Sequence, residues 1–307
     1  MSERSPEPVV HATRRRWLAG AAAMALLPLA ACGQGEPAAE APAEAAAETV
    51  GPPEGSLEWA VEGSWREGDR ARDEWRHPLE TLRFFGLRPN MRVVEVWPGS
   101  GWYTEILAPY LAKGGGKLYA AGFPVEPGAD PTQAALNAAF QARFSENRGL
   151  YGEIEFTTFG PTSEALAPAG TADLVLFMRT LHVWMASGLA EKAFADAFAA
   201  LRPGGVLGIE QHRLAPDADQ DPAAANGYVQ EAFVQQLAAE AGFAFVADSD
   251  VNANPRDTKN HPFGVDTLPP IRLTAPPGEP PDPTFDRSRY EEIGESDRMT
   301  LKFRKPE

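Results

Sequence analysis

The residue types that a nucleotide-binding loop needs occur together in residues 92–103, RVVEVWPGSGWY. An apolar strand there runs into a turn with Gly99 and Gly101, and a helix follows at once. Glycine lets a backbone approach a ligand closely, and a helix N-terminus offers that ligand free N–H groups and a positive dipole end. Glu95 stands where a carboxylate can reach over such a ligand. Because tight strand-to-helix turns also use glycine for steric reasons alone, the surrounding sequence must decide.

Two histidines are the candidate proton carriers. His182 follows the fourth predicted strand and His212 follows the fifth. Ligands of open α/β sheets bind beyond the carboxyl ends of the strands, and histidine can accept a proton near neutral pH. We therefore predict His182 and His212 as catalytic candidates. For each, the alternative is a structural histidine whose hydrogen bonds are satisfied.

Two further groups are candidates for contact with a substrate. Arg72 and His77 belong to a charged segment before the first strand, and either would meet an anionic substrate group if that segment covers the cleft. A solvated helix face is the alternative. Trp102 and Tyr103 begin the first helix after the loop, where flat apolar contact with a ligand and ordinary aromatic packing explain them equally well.

The acidic and histidine residues outside this region predict no metal site. Residues 217–221, DADQD, have the alternating aspartates of a calcium loop, but Pro222 stands where such a loop needs glycine. Tyr228 also stands where the loop needs a bidentate glutamate. His212 and His261 are too isolated in sequence to indicate zinc.

The loop and the two histidines can meet only if strands and helices alternate along the chain. The hydrophobic pattern predicts this alternation. Short connections between them favour a parallel sheet with helices on both faces. The predicted strands are residues 93–97, 117–121, 154–158, 173–178, 206–210, 243–247 and 299–303. The predicted helices are residues 104–112, 131–145, 189–201 and a helix capped by Asn226 that ends at Gly242. Paired prolines in residues 255–290 predict a surface excursion with neither helix nor sheet interior.

The N-terminus has the pattern of a targeting segment. Residues 1–31 contain a basic patch and an apolar run shorter than the roughly 20 residues of a membrane-spanning helix. The paired arginines before Trp17 resemble a twin-arginine export signal, and the LAAC of residues 29–32 resembles a lipoprotein lipobox. We expect an exported, periplasm-facing protein held to a membrane by a lipid on Cys32; an uncleaved anchor is the alternative. Gly33 is not a retention aspartate, which favours the outer over the inner membrane.

Composition divides the rest of the chain and limits its partners. Residues 32–56 are rich in Ala, Glu and Pro, a composition that predicts a disordered tether. Residues 57–307 are long enough for one α/β domain, which begins with a helical segment, residues 57–90.

The formal net charge is −15, and it becomes −17 without residues 1–31, which carry four arginines and two glutamates. An acidic surface disfavours nucleic acid and electrostatic membrane docking. Cys32 is the only cysteine, so an internal disulfide, a zinc cluster and a catalytic thiol are excluded.

Several motifs resemble one enzyme superfamily over almost the whole domain. Residues 95–101 after the first strand, 173–178, the LRPGG of 201–205 and the ending 297–306 resemble the Rossmann-like S-adenosylmethionine-dependent methyltransferases. More narrowly, RDEWRHP at 72–78, FFGLRP at 84–89 and WPGSGWYTEILAP at 97–109 look like a bacterial group of exported predicted methyltransferases.

The resemblance implies a mostly parallel seven-stranded sheet, S-adenosylmethionine as cofactor and a small-molecule substrate. Carried over by position, it assigns to cofactor binding Glu95, Trp97, Pro98, Gly99, Ser100, Gly101 and Tyr103. Arg72, His77 and Trp102 would contact substrate.

Two departures from the family pattern keep a second function open. Trp97 replaces the usual first glycine of the loop, and residues 117–122, KLYAAG, offer no acid to hold the ribose hydroxyls. The alternative is therefore a lipid-anchored binding or accessory protein with a degenerate cofactor site.

Overall fold

Seven strands form one sheet in the computed structural model, which describes residues 51–124 and 130–307. The strands are β1 Arg92–Val96, β2 Lys117–Gly122, β3 Ile154–Thr158, β4 Ala172–Met178, β5 Leu201–His212, β6 Ala244–Ser249 and β7 Arg298–Arg304. Their order is β3-β2-β1-β4-β5-β7-β6. Strands β1 to β5 pair in parallel, whereas β7 runs antiparallel to both β5 and β6.

Helices surround this sheet. They are α1 Leu57–Val61, α2 Asp73–Arg76, α3 Pro78–Phe85, α4 Thr104–Gly114, α5 Pro131–Glu146, α6 Arg148–Tyr151, α7 Leu181–Ala186, α8 Ala190–Ala200, α9 Glu231–Glu240 and α10 Ser288–Ile293. Short 3₁₀ turns occur at Ser64–Arg66, Arg70–Arg72 and Gly264–Thr267. In the described ranges, no helix is both long and apolar enough to cross a membrane.

The central strands separate two apolar cores, one on each face of the sheet. Successive strand residues point to opposite faces, so Val94 and Val175 pack into one core while Val93 and Leu174 pack into the other. Both strands are buried, as expected for parallel strands covered by helices on both sides. The predicted fold class, a mostly parallel seven-stranded α/β sheet, is confirmed.

One strand and one helix begin at residues other than those predicted from the sequence. Strand β5 starts at Leu201, because that residue already pairs with Ala172 across a register shift that accommodates the Pro-Gly-Gly of residues 203–205. The helix expected to begin at Asn226 begins at Glu231 instead. The side-chain oxygen of Asn226 accepts a hydrogen bond from the backbone N–H of Tyr228, which closes a turn rather than a helix.

The proline-rich segment is more ordered than its composition predicts. The prediction of no helix there was wrong, because a 3₁₀ turn, Gly264–Thr267, and the start of α10 fall inside residues 255–290. Leu268 is fully buried and Val265 packs with Leu214 and Tyr228, so local apolar anchors order the chain between the prolines. The predicted export signal, the lipidation site Cys32 and most of the predicted tether lie outside the described residues.

Candidate functional site

A cavity of about 320 Å³ opens at the carboxyl ends of β1, β4 and β5. The turn after β1 forms one wall, and Arg179, the first residue after β4, forms another. The segment 265–271 covers the cavity, and Arg298 at the start of β7 reaches it because the antiparallel strand begins at this edge. A larger cavity of about 660 Å³ lies at the opposite edge of the sheet, around Lys117 and Ile154, away from the loop.

The two glycines of the loop have different reasons to be glycine. Gly99 lines the cavity, has φ +60° and would place a Cβ with nothing within 4 Å of it. Gly101 has φ +93°, and its Cβ would lie 2.4 Å from the ring of Phe144. Gly99 therefore leaves open space beside the cavity, whereas a side chain at Gly101 is excluded by the ring of Phe144.

Trp97 points its indole into an aromatic cluster beside the cavity. Its ring centroid lies 4.7 Å from that of Phe123, which follows β2, and 5.7 Å from that of Trp184 in α7. Its Nε1 donates a hydrogen bond of 2.9 Å to the carbonyl oxygen of Phe159. The backbone φ of Trp97 is +52°, a left-handed value that glycine adopts without strain. The indole thus occupies space between the ends of β1, β2 and β3.

Glu95 and Tyr103 lie beneath the cavity instead of lining it. The hydroxyl of Thr104 donates a hydrogen bond of 2.6 Å to Glu95, and burial raises the pKa of Glu95 to about 8 despite that bond and the charge of Arg179. The hydroxyl of Tyr103 donates to Glu210 across 2.9 Å. Both side chains support the loop from below, and neither is in the lining of the cavity.

His182 and His212 line the cavity side by side, with ring centroids 5.2 Å apart. Nδ1 of His212 lies 2.5 Å from Oγ of Ser296, and Nδ1 of His182 lies 3.3 Å from the side-chain nitrogen of Gln211. Burial lowers the pKa of His182 to about 4, and burial followed by neighbouring positive groups lowers the pKa of His212 well below its ordinary value. Both imidazoles are therefore uncharged at neutral pH and suited to hydrogen bonding more than to holding a proton.

Four arginines line the cavity: Arg72 at its rim, and Arg76, Arg179 and Arg298, which are held by buried carboxylates. Arg76 donates from Nε to Glu295 at 2.8 Å, and Arg179 donates from Nη1 to Glu210 at 2.9 Å. Arg298 contacts both of these carboxylates, with Nε 3.0 Å from Glu210. The pKa of Glu295 is lowered to about 2 because Arg76 and Arg298 outweigh the burial that would raise it. This network fixes positively charged groups at the carboxyl ends of the parallel strands.

The predicted substrate residues separate into two groups. Arg72 lines the cavity, pairs with Asp69 and has 30% of its side chain exposed. Trp102 also lines it, is held by a hydrogen bond of 3.0 Å from Nε1 to the Asp69 carbonyl oxygen, and lies under the guanidinium of Arg76, 4.9 Å from the ring centroid. His77 lies outside the cavity, in a neighbouring depression beside Asn252, because its left-handed backbone, φ +37°, ends α2 there.

The sequence did not single out Arg179, Glu210, Glu295 or Arg298. Arg179 and Glu210 stand at the ends of predicted strands, which was a usable signal. Glu295 and Arg298 precede the last strand, and only its antiparallel direction brings them to the carboxyl edge. Within residues 51–124 and 130–307, no group of three metal-binding side chains is found. His261 bonds to Asp257 at 2.8 Å, away from the cavity.

Comparison with known proteins links this arrangement to one fold. No family model matches the chain, and neither does any curated protein sequence. Among solved structures, a geranyl diphosphate methyltransferase in complex with S-adenosylmethionine is 13% identical, with 78% of this chain and 88% of that chain covered and a TM-score of 0.50. An S-adenosylmethionine-dependent methyltransferase from Aquifex aeolicus is 21% identical, with 61% and 90% covered and a TM-score of 0.47.

A third solved structure is the N-methyltransferase NodS from Bradyrhizobium japonicum WM9 in complex with S-adenosyl-L-homocysteine, 15% identical, with 83% and 98% covered and a TM-score of 0.45. At these identities the likeness concerns the fold. The chain has the Rossmann-like fold of the S-adenosylmethionine-dependent methyltransferases.

Proposed function

We propose that this chain is an S-adenosylmethionine-dependent methyltransferase that acts on a small molecule in the 320 Å³ cavity. The observation that carries the proposal is the position of the Trp97–Ser100 turn. From β1 the chain builds β2 and β3 on one side and β4 and β5 on the other, so the turn lies at the switch point of the sheet. Open α/β sheets bind their ligands at that point. The names of the structural neighbours support the cofactor class.

The residues present fit one end of this cofactor better than the other. The open space at Gly99 admits the amino-acid part of the cofactor against the backbone. The nucleoside part fits less well, because the indole of Trp97 packs on Phe123 where β2 ends and a ribose is usually held. Asn137 caps that strand end, accepting a hydrogen bond of 3.0 Å from the N–H of Phe123. Nucleoside binding therefore requires the indole to move.

Bound S-adenosylmethionine supplies an electrophilic methyl group. The protein's part is alignment of the attacking atom, which accounts for most of the rate in reactions of this kind. His182 and His212, both uncharged, accept hydrogen bonds from a hydroxyl or amine nucleophile and orient it. Trp102 and Arg72 form the facing wall and exclude water from the reacting atoms.

A specific observation favours the second candidate, a binding or accessory protein with a degenerate cofactor site. The indole of Trp97 bonds to Phe159 and contacts Trp184, so it behaves as part of the core. If this ring never leaves, the cavity remains a small-molecule site without a cofactor. The export predicted from the N-terminus would also favour this candidate, because a cytoplasmic cofactor is not replenished after twin-arginine transport.

The proposal includes the location predicted from the first 32 residues. The arginine pair, the short apolar run and Cys32 support export followed by lipid attachment. Residues 33–56 would then act as a tether between the lipid and the domain.

Calorimetric titration of S-adenosylmethionine and S-adenosylhomocysteine into the full chain tests the proposed function. We expect micromolar binding of both, weakened at least tenfold by Gly99→Asn, because asparagine tolerates the left-handed backbone yet fills the open space. Gly115→Asn is the matched control, since Gly115 has φ +74° and open space but ends α4 away from the cavity. Binding of neither ligand would refute the methyltransferase and leave the binding protein.

A further inference from the structure

The cavity has a cationic floor and an apolar cover. Arg76, Arg179 and Arg298 form the floor, together with Arg72 at the rim. Val183 in α7, 43% exposed, and Ile271 in the covering segment, 58% exposed, line the cavity. Exposed large apolar side chains beside buried arginines indicate a ligand with one charged end and one apolar end.

The arginines outnumber the carboxylates that hold them. Arg76 pairs with Glu295 and Arg179 pairs with Glu210. Arg298 shares both of those carboxylates and has none of its own among the described residues. Its Nε lies 3.0 Å from Glu210 but lacks hydrogen-bond geometry, so it is a buried donor without a hydrogen-bond partner. Such a donor costs free energy unless a ligand pairs with it or with its neighbours.

The backbone at the floor is also strained. Arg179 has φ +61°, a left-handed value that is rare for a side chain of this size. The N–H of Arg179 donates to the Glu210 carbonyl oxygen at 2.7 Å, and its guanidinium donates to the carboxylate of the same residue. The surrounding structure thus holds Arg179 in an unfavourable conformation that directs it to the cavity, as is common at ligand sites.

We propose that the arginine floor binds the carboxylate of a small amphiphilic molecule, whose apolar part packs against Val183, Pro270 and Ile271. The inference rests on the proposed function, because it names the class of molecule that the methyl group would reach. One carboxylate matches the single arginine that has no carboxylate of its own. Asp266, on the cover, opposes the anion, and burial raises the pKa of its carboxyl group.

Titration calorimetry of the full chain with octanoate, octanamide and octyl phosphate tests this proposal without any cofactor. We expect octanoate to bind at least about tenfold more tightly than octanamide, because only the acid can pair with guanidinium groups. Tighter binding of octyl phosphate would overturn the choice of carboxylate. Equal binding of octanoate and octanamide, or no binding of octanoate, would overturn the anion site itself.

Substitutions of single residues test whether the cavity arginines are the groups that bind octanoate. Arg72→Gln and Arg179→Gln should each weaken octanoate about tenfold, and Asp266→Asn should strengthen it. Arg72 is partly exposed, so its variant tests the site even if the buried Arg179→Gln fails to fold. Arg202→Gln is the matched control, because Arg202 pairs with Asp173 at the other edge of the sheet. Octanoate binding that survives both arginine changes refutes the assignment. Because S-adenosylhomocysteine is titrated separately, failure of the cofactor site and failure of the carboxylate site are distinguished.

Discussion

The indole Nε1 of Trp97 donates a hydrogen bond to the carbonyl oxygen of Phe159, 2.9 Å away. This bond fixes the ring between the ends of three neighbouring strands, with Phe123 and Trp184 against it. A left-handed φ of +52° at Trp97 shows that the loop keeps the backbone of a glycine there. Trp97 therefore holds a backbone conformation that a side chain disfavours.

Replacing Trp97 with glycine should open the nucleoside side of the cavity. We expect Trp97→Gly to bind S-adenosylhomocysteine at least about tenfold more tightly than the parent, measured by calorimetry. Loss of a packed aromatic ring should cost about 3 kcal/mol, offset in part by relief of about 1 kcal/mol of left-handed strain. Trp97→Phe keeps an aromatic ring and should show no gain in affinity. Equal affinity for the parent and Trp97→Gly would mean that the ring does not limit binding.

The two loop glycines should respond differently to alanine. Gly101→Ala should lower the free energy of unfolding by about 2–4 kcal/mol, because the new methyl group meets the ring of Phe144 and the backbone is left-handed. Gly99→Ala should cost only about 1 kcal/mol, since its left-handed strain is not joined by any clash. Urea unfolding followed by circular dichroism measures both. Similar losses for the two variants would contradict the distinction between a packing glycine and a ligand-facing one.

Sequence alone supported the fold and only part of the site. Short, largely apolar runs located β1 and β4, as expected for parallel strands covered by helices on both faces. The loop and the two histidines were found because residues that follow parallel strands must meet at one edge. Glu295 and Arg298 were missed because their place depends on the direction of β7, which sets the edge at which they lie and which periodicity does not reveal.

A similar reason explains why the role of Gly101 was not foreseen. The spacing of glycines in one sequence indicates positions where a side chain does not fit. It does not indicate whether a ligand or a neighbouring side chain occupies that space. The ring of Phe144 comes from α5, more than 40 residues along the chain, so only the packed structure identifies it as the obstacle.

Glu95 should make stability depend on pH. Its pKa is about 8 in the folded chain and 4.5 when unperturbed, so its contribution is complete below pH 4.5 and is lost as pH rises toward 8. A tenfold change in proton affinity between the folded and unfolded chains corresponds to about 1.4 kcal/mol, which sets an upper bound of a few kcal/mol on that loss. Glu95→Gln keeps an acceptor for Thr104 without ionising.

We therefore expect Glu95→Gln to gain about 1–3 kcal/mol relative to the parent between pH 5 and pH 8.5. Guanidinium unfolding at the two pH values measures the difference. Glu62→Gln, at an exposed position, is the control and should show no such change. A parent and a Glu95→Gln variant with parallel pH profiles would show that Glu95 does not ionise as inferred.

Cys32 should carry the lipid if the proposed location is right. In a bacterial host the parent chain should partition into the detergent phase, and Cys32→Ser should abolish that partition while leaving the domain folded. The reason is that the lipidated residue of a lipobox must be cysteine. Mass spectrometry of the mature N-terminus should find a diacylglyceryl group on Cys32. A mature chain that retains residues 1–31 in the membrane would instead support the uncleaved anchor.

The buried pair of Arg76 and Glu295 should be far more important to stability than a surface pair of the same chemistry. Glu295→Ala leaves Arg76 and Arg298 buried without this carboxylate, so the free energy of unfolding should fall by about 3–5 kcal/mol. Glu155→Ala is the matched control, because its pair with Lys117 is about half exposed and should be worth less than about 1 kcal/mol. Thermal unfolding in the presence of octanoate adds a second measurement: a carboxylate ligand should recover part of the stability that Glu295→Ala loses, because it neutralises the same guanidinium groups. Equal losses for Glu295→Ala and Glu155→Ala would show that the arginine floor does not need its carboxylates.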